Sequence, residues 1–332
     1  MFGLRIGLYL ILGLLPLTAQ ASETDAFAFI AAGFTEQVQG QDIVPAIVKA
    51  QVLLDRANIS SGEIDGRVSP RLDEAIAAFA ESRNLPPDTK WSRQFWDELT
   101  AEAIVPVLTT YSVTSEDLKG PFLRLPSRME DMRSFKSLGY ASVREALAER
   151  FHMSAALLDA LNPDASFSEA GEEITVANVL IASKPPNASR IDVDKDRQTV
   201  KAYSAKGELI ASFPASVGSE DKPTPSGTLK VTAISSDPTF HYNPKYQFRE
   251  VETQKPFDLS PGPNNPLGST WIALSKPSYG IHGTPEPSEV GKAASHGCVR
   301  LTNWDVQRLA SMISRGVSVN FIEKSDANFV AY

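Results

Sequence analysis

At 332 residues the chain is longer than one ordinary domain, so length alone argues for two or three folded units. With 42% hydrophobic and 22% charged residues it has the make-up of a folded protein rather than a disordered one. A net charge of −8 excludes a bulk electrostatic grip on nucleic acid or on an anionic membrane.

The chain opens with a single charge, Arg5, before Glu23, and an apolar run from Ile6 to Leu17. Ala19-Gln20-Ala21 has the small-x-small form of a cleavage site. Residues 1–21 therefore read as a secretory signal peptide, with a mature start at Ser22. An uncleaved membrane anchor is the competing reading, but the apolar run is short for a full span. Export makes the cysteine count informative. The chain has one cysteine, so no internal disulfide can form, and a lone exported thiol is either buried and inert or kept for its reactivity.

Residues 42–103 are expected to be helical. Ile43, Ile47, Val48, Val52 and Leu53 recur at helical spacing. Ser69-Pro70 is a cap followed by proline at the first helical position, with Leu72, Ile76 and Phe79 on one face. Pro86-Pro87 ends that helix, and Ser92 caps a third that carries Phe95, Trp96 and Leu99. Gln51-x-Leu53-Leu54, Gly62-x-Ile64-Asp65-Gly66 and Ala75-Ile76-x-x-Phe79 together resemble the peptidoglycan-binding-type-1 module, a small three-helix domain. A helical spacer without a ligand is the alternative for this stretch.

Residues 108–184 form a middle region. Ser142 with Glu145 makes a capping box ahead of Ala146, Leu147 and Phe151, and Ser154 opens a second helix through Leu157, Leu158 and Leu161. Asn162-Pro163-Asp164 then turns the chain. Helix, turn, helix and the later Gly171-Glu172-Glu173-Ile174-Thr175-Val176 are weakly similar to an α+β LysM wall-binding module. His152, beside Phe151, reads as a packed or surface histidine. Lys184-Pro185-Pro186-Asn187 reads as a linker.

Beyond the linker the period changes to two. Leu209, Ala211, Phe213, Ala215 and Val217 alternate with partners on the other face. Leu229, Val231 and Ala233 do the same, as do Val317, Val319 and Phe321. A mostly-β, sandwich-like unit follows, with one helix capped by Asn303, running to about Ser314 and stopped by Gly316. The proline- and aromatic-rich stretch from Ser235 to Gly268, which includes His241, reads as a lid or binding loop in which many aromatics simply pack.

The chemistry concentrates in Tyr279-Gly280-Ile281-His282-Gly283-Thr284 and Ala294-Ser295-His296-Gly297-Cys298-Val299-Arg300. A thiol becomes a strong nucleophile when a nearby imidazole takes its proton, and His282 and Cys298 are candidates for base and nucleophile. Gly283 and Gly297 let the backbone approach a substrate closely. The N–H groups of Gly297 and Cys298 are candidate donors to a developing oxyanion. No acidic residue adjoins His282, so a backbone carbonyl, such as that of Gly283, is the expected orienter of the ring.

With Thr224-Pro225-x-Gly227, Asn265-Pro266-Leu267-Gly268 and Asn303-x-Asp305, these blocks resemble, in order and spacing, the L,D-transpeptidase catalytic domain of the YkuD family over residues 188–324. The resemblance implies attack by Cys298 on the L-centre carbonyl of the third residue of a peptidoglycan donor tetrapeptide. D-Ala departs, and the acyl group passes to an amine on another stem or on an outer-membrane lipoprotein. It implies further that His282 is the base, and that Ser295, His296, Gly297 and Gly283 shape the oxyanion loop. Arg300 and Tyr279 would bind substrate, with no cofactor or metal. The partners are stem peptides and glycan, in the periplasm.

Three other readings compete with this one. A carboxypeptidase or amide hydrolase would use the same pair with water as acceptor. A non-catalytic wall-binding protein would leave the cysteine idle. His282, His296 and Cys298 also offer zinc-type ligands, but without a fourth partner in tetrahedral logic.

Overall fold

The computed structural model describes residues 28–36, 38, 42–101, 103–179, 185–219, 222–246, 251–293, 295 and 297–323. The expected signal peptide, Lys184 of the linker, Ala294 and His296 lie outside the described residues. Among those described, no helix is long and apolar enough to cross a membrane.

Three helices form as their caps and apolar stripes require. Helix α1, Pro45–Arg56, starts on a proline and buries Ile47, Val48 and Leu54. Helix α2, Pro70–Ser82, is capped by Ser69, whose side chain accepts from the Leu72 N–H at 3.2 Å. Helix α3, Arg93–Thr100, is capped in the same way by Ser92 and buries Phe95, Trp96 and Leu99. The Gln51 amide closes the α1–α2 connector: its oxygen accepts from the N–H groups of Asp65 (3.1 Å) and Gly66 (2.8 Å), and its nitrogen donates to Asp65 Oδ1.

The middle unit runs β1 (Leu108–Ser112), α4 (Val143–Arg150), α5 (Ala155–Leu161) and β2 (Glu173–Ala177). Strands β1 and β2 pair antiparallel, Leu108 opposite Ala177. Ser142 and Ser154 cap the two helices as expected. The return arm of the capping box lands one residue early, with Glu145 accepting from the Ala141 N–H at 2.7 Å. The middle unit and the three helices share one apolar core, in which Ile47, Phe79, Leu147, Leu157 and Val176 all take part.

The C-terminal unit has its own core. Its strands are β3 (Arg190–Asp194), β4 (Thr199–Tyr203), β5 (Leu209–Pro214), β6 (Gly227–Ser236), β7 (Phe240–Tyr242), β8 (Phe257–Leu259), β9 (Thr270–Leu274), β10 (Gly280–His282), β11 (Val299–Arg300) and β12 (Ser318–Ile322). Eight of them make one sheet in the order β11-β10-β9-β6-β12-β3-β4-β5, while β7 and β8 form a separate hairpin. Only β10–β11 and β12–β3 are parallel pairs. The open edge at β5 is covered by the α1–α2 connector: the Ser60 N–H donates to Ser212 O and the Ser212 N–H to Asn58 O.

Two expectations for this unit are corrected. Ala233 does not share the inward face of Val231. The pairing of β6 with β9 shifts between Val231 and Ala233, which puts the Thr232 step into a bulge and turns Ala233 outward. Asn303 is not a cap. The cap of helix α6, Asn303–Met312, is Thr302, whose hydroxyl accepts from the Asp305 N–H at 3.2 Å.

The proline-rich stretch after β6 does not hang free. Phe257, Leu259, Tyr242 and Val251 pack with Leu138 of the middle unit's long β1–α4 connection. The Leu138 N–H donates to Pro261 O at 2.9 Å, and Ser260 Oγ donates to Phe135 O at 2.8 Å. His241 is exposed and pairs with Asp258. All three units meet at Asp55 of α1, which accepts from His152 of the middle unit (2.9 Å) and from Arg308 of α6 (2.9 Å). The His152 ring stacks on Trp304, so the packed reading of this histidine holds.

Candidate active site

Strand β10 ends on His282, and parallel pairing sets His282 level with Arg300 on β11. Cys298 stands just ahead of β11. His282 and Cys298, sixteen apart in the chain, are thus carried by two adjacent strands, an arrangement no local turn could make.

His282 is buried, and its Nδ1 lies 2.7 Å from the Gly283 carbonyl oxygen. A carbonyl can only accept, so Nδ1 carries the proton and Nε2 keeps its lone pair. The expected backbone orienter is therefore Gly283 itself. Burial pushes the His282 imidazole down to about 3, with the Arg300 charge adding to the effect against the Gly283 hydrogen bond. The ring stays neutral at physiological pH, the form a base must have.

Cys298 is partly exposed. Its thiol donates to the Ser278 carbonyl at 3.7 Å. Burial raises the thiol above its ordinary range, while the Gly280 N–H and the Arg300 charge favour the thiolate. The resting pair is thus thiol and imidazole, not thiolate and imidazolium. Deprotonation has to accompany the arrival of an electrophile.

The cysteine loop is tied by Ser295. Its buried hydroxyl donates to Cys298 O and accepts from the Gly297 N–H at 3.1 Å, while its own N–H donates to Val217 O at 2.7 Å. The Gly297 N–H is committed to Ser295, which leaves the Cys298 N–H as the backbone candidate. Gly297 shapes the loop through its φ of +109°, and a Cβ there would lie 3.3 Å from the Tyr279 ring. Tyr279 is half-buried against the loop, with Lys276 Nζ over its ring at 4.4 Å.

Two neighbours were given no site role by sequence. Trp271 of β9 tilts against His282, ring centroids 5.6 Å apart, and lies so close over Gly280 that a Cβ there would be 2.5 Å from the indole. Its place opposite His282 in the β9–β10 register was readable only once β9 was recognised as a strand. The second neighbour is Asn303, behind the His282–Gly283 turn. Its Oδ1 accepts from the Ser269 N–H at 2.9 Å and would sit 2.1 Å from a Cβ on either Gly268 or Gly283. The Asn-Pro-Leu-Gly block makes the matching wall: Asn265 Oδ1 accepts from the Leu267 N–H and its carbonyl from the Gly268 N–H.

The model of the YkuD L,D-transpeptidase catalytic domain matches residues 188–321. YkuD of Bacillus licheniformis, which carries the L,D-transpeptidase name, is 32% identical over 178 residues, covering 53% of this chain and 91% of that protein. YkuD of Bacillus subtilis is 29% identical over 175 residues, covering 52% and 90%. YbiS of Escherichia coli, also named as an L,D-transpeptidase, is 32% identical over 126 residues, covering 37% of this chain and 41% of its own.

Proposed function

We infer the course of the reaction from one premise, that this chain belongs to the YkuD family of L,D-transpeptidases. It is a peptidoglycan L,D-transpeptidase, a cysteine acyltransferase that works on stem peptides. The observation that supports the residue assignment is the Nδ1 bond from His282 to Gly283 O, which leaves Nε2 as the unprotonated ring nitrogen, on the strand paired with the one that Cys298 leads into.

Cys298 Sγ attacks the carbonyl of the L-centre of the donor's third residue, and its proton passes to His282 Nε2. The tetrahedral oxyanion faces the Cys298 N–H. Collapse breaks the peptide bond, and the departing D-Ala amine takes the proton from His282, leaving a thioester. An acceptor amine then attacks the thioester carbonyl, gives a proton to Nε2, and Cys298 regains it as the new amide forms. Arg300 meets a carboxylate of the donor, a role supported by its register with His282. Tyr279 forms one wall of the cleft.

The acceptor is an amine of a second stem, giving a 3→3 cross-link, with a lipoprotein amine as the other candidate of the same chemistry. The two N-terminal units serve as wall-binding modules of the peptidoglycan-binding-type-1 and LysM kinds. The Gln51-closed connector and the βααβ order of the middle unit support that reading. A cleaved signal peptide ending at Ala21 would deliver the enzyme to the periplasm.

The test is intact-mass measurement of the mature protein with a disaccharide-tetrapeptide, alongside product analysis. An adduct on Cys298 with a cross-linked dimer short of one D-Ala is the expected result, and Cys298→Ala should abolish both. An adduct that yields only tripeptide would make water the acceptor and the enzyme a carboxypeptidase. No adduct on folded protein would overturn the assignment of Cys298.

A further inference from the structure

We propose that Glu149, from helix α4 of the middle unit, is a positioning residue for His282 that acts through Asn303, so that the accessory unit sets the geometry of the base. The activity readout below rests on the acyl-transfer reading; the structural readouts do not.

Glu149 is nine-tenths buried, far from water for a carboxyl on a helix. Its Oε1 accepts from Asn303 Nδ2 at 2.8 Å and from the Tyr140 hydroxyl at 3.0 Å. These bonds decide which way the Asn303 amide faces. With Nδ2 held toward Glu149, and toward Pro263 O at 3.1 Å, Oδ1 must face the Ser269 N–H. A reversed amide would set its NH2 against that N–H, two donors with no acceptor between them.

The position of Oδ1 matters because it touches the Cα atoms of Gly268 and Gly283, where a Cβ would come within 2.1 Å. Gly283 carries the carbonyl that holds His282 Nδ1. Three links, Glu149 to Asn303, Asn303 to the Gly283 peptide, and Gly283 O to Nδ1, therefore connect the middle unit to the tautomer and tilt of the base. None of the three residues touches the reacting atoms. Glu149 stands 154 positions from Asn303 in the chain, so the link exists only while the two units are docked.

The experiment uses the full chain and its variants Glu149→Leu, which removes the acceptor, and Glu149→Gln, which keeps an amide oxygen in its place. Nitrogen NMR of labelled histidine reads the His282 tautomer, and iodoacetamide alkylation followed by mass reads Cys298, neither needing substrate. Glu149→Gln should match the parent within about twofold. Glu149→Leu should mix the His282 tautomers and slow acylation by tetrapeptide about tenfold to a hundredfold, the cost of a displaced catalytic group.

If Glu149→Leu does not fold, Asn303→Asp asks the same question. It keeps Oδ1 and loses the donor, and adding Glu149→Gln, whose NH2 can face Asp, should restore both tautomer and rate. A single unshifted tautomer with parental alkylation in Glu149→Leu, or no restoration in the double variant, would overturn the proposal. Absence of acyl transfer in the parent, with its tautomer intact and lost in Glu149→Leu, would count against the reaction and not against this link.

Discussion

Substituting Gly283 by alanine tests the packing behind the base. The new Cβ would sit 2.1 Å from Asn303 Oδ1, against an ordinary contact of about 3.5 Å, so one of the two must retreat by more than an ångström. A loose side-chain end would simply move. This one is held by the Ser269 N–H, Glu149 and Pro263 O. Moving it strips a buried N–H of its acceptor, at about 1–3 kcal/mol, and moving the backbone instead costs a similar amount as overpacking. In the second case the Gly283 carbonyl leaves His282, and the acylation rate should fall about a hundredfold. Urea denaturation and single-turnover acylation of Cys298 measure the two effects. Repeating the substitution in an Asn303→Ala background should remove most of the stability cost, since the clashing atom is gone. A Gly283→Ala enzyme with parental stability and rate, or an equal cost in both backgrounds, would refute the reasoning.

Alkylation of Cys298 should rise steadily from pH 7 to pH 10, because burial holds the thiol above its ordinary range and keeps His282 neutral; a plateau below pH 7 would reveal a preformed ion pair. Burial raises Glu149 to about 7 from 4.5, so the native state binds the extra proton and stability falls as pH climbs between those values, by about 3 kcal/mol at most. Glu149→Gln should accordingly gain stability over the parent at pH 8 but not at pH 4, read by denaturant midpoints at both. Asp55 moves the other way: although burial opposes it, His152 and Arg308 hold it down to about 2, so its contribution is present above pH 4 and lost as pH falls through 2. Asp55→Ala leaves Arg308 buried without its partner and should cost about 3–5 kcal/mol by urea titration at pH 7. Ser295→Ala removes both the acceptor for the buried Gly297 N–H and the donor to Cys298 O, so slower acylation together with a loss of about 1–3 kcal/mol by urea titration is the expected pattern.

Much of this protein was legible before any coordinates. Helix starts at Ser69, Ser92, Ser142 and Ser154 follow from side chains that accept from the N–H three residues on, a local rule that needs no tertiary partner. Strands around Leu209 and Val319 follow from period-two alternation. Cys298 and His282 are the candidates that a thiol nucleophile requires, the carbonyl expected at the ring is found on Gly283, and the block order identified the family. Where local rules failed, a long-range pairing had overridden them. Ala233 faces outward because a bulge in the β6–β9 ladder flips the alternation. Thr302 rather than Asn303 caps α6 because the Asn303 amide is engaged by Ser269, Pro263 and Glu149. The Gly297 N–H donates to Ser295 Oγ, a partner that its place in the sequence did not suggest.

The sequence alone determined the reactive groups and the elements that carry them, since residue chemistry, caps and periodicity act over a few positions. Tertiary structure alone decided how those groups are poised. It set the strand that ends on His282 parallel to the one that Cys298 leads into, and desolvation there lowers the imidazole and raises the thiol, favouring their neutral forms. It also set a carboxyl of the middle unit behind the base. These are consequences of desolvation and of contacts between residues distant in the chain, which no local pattern encodes.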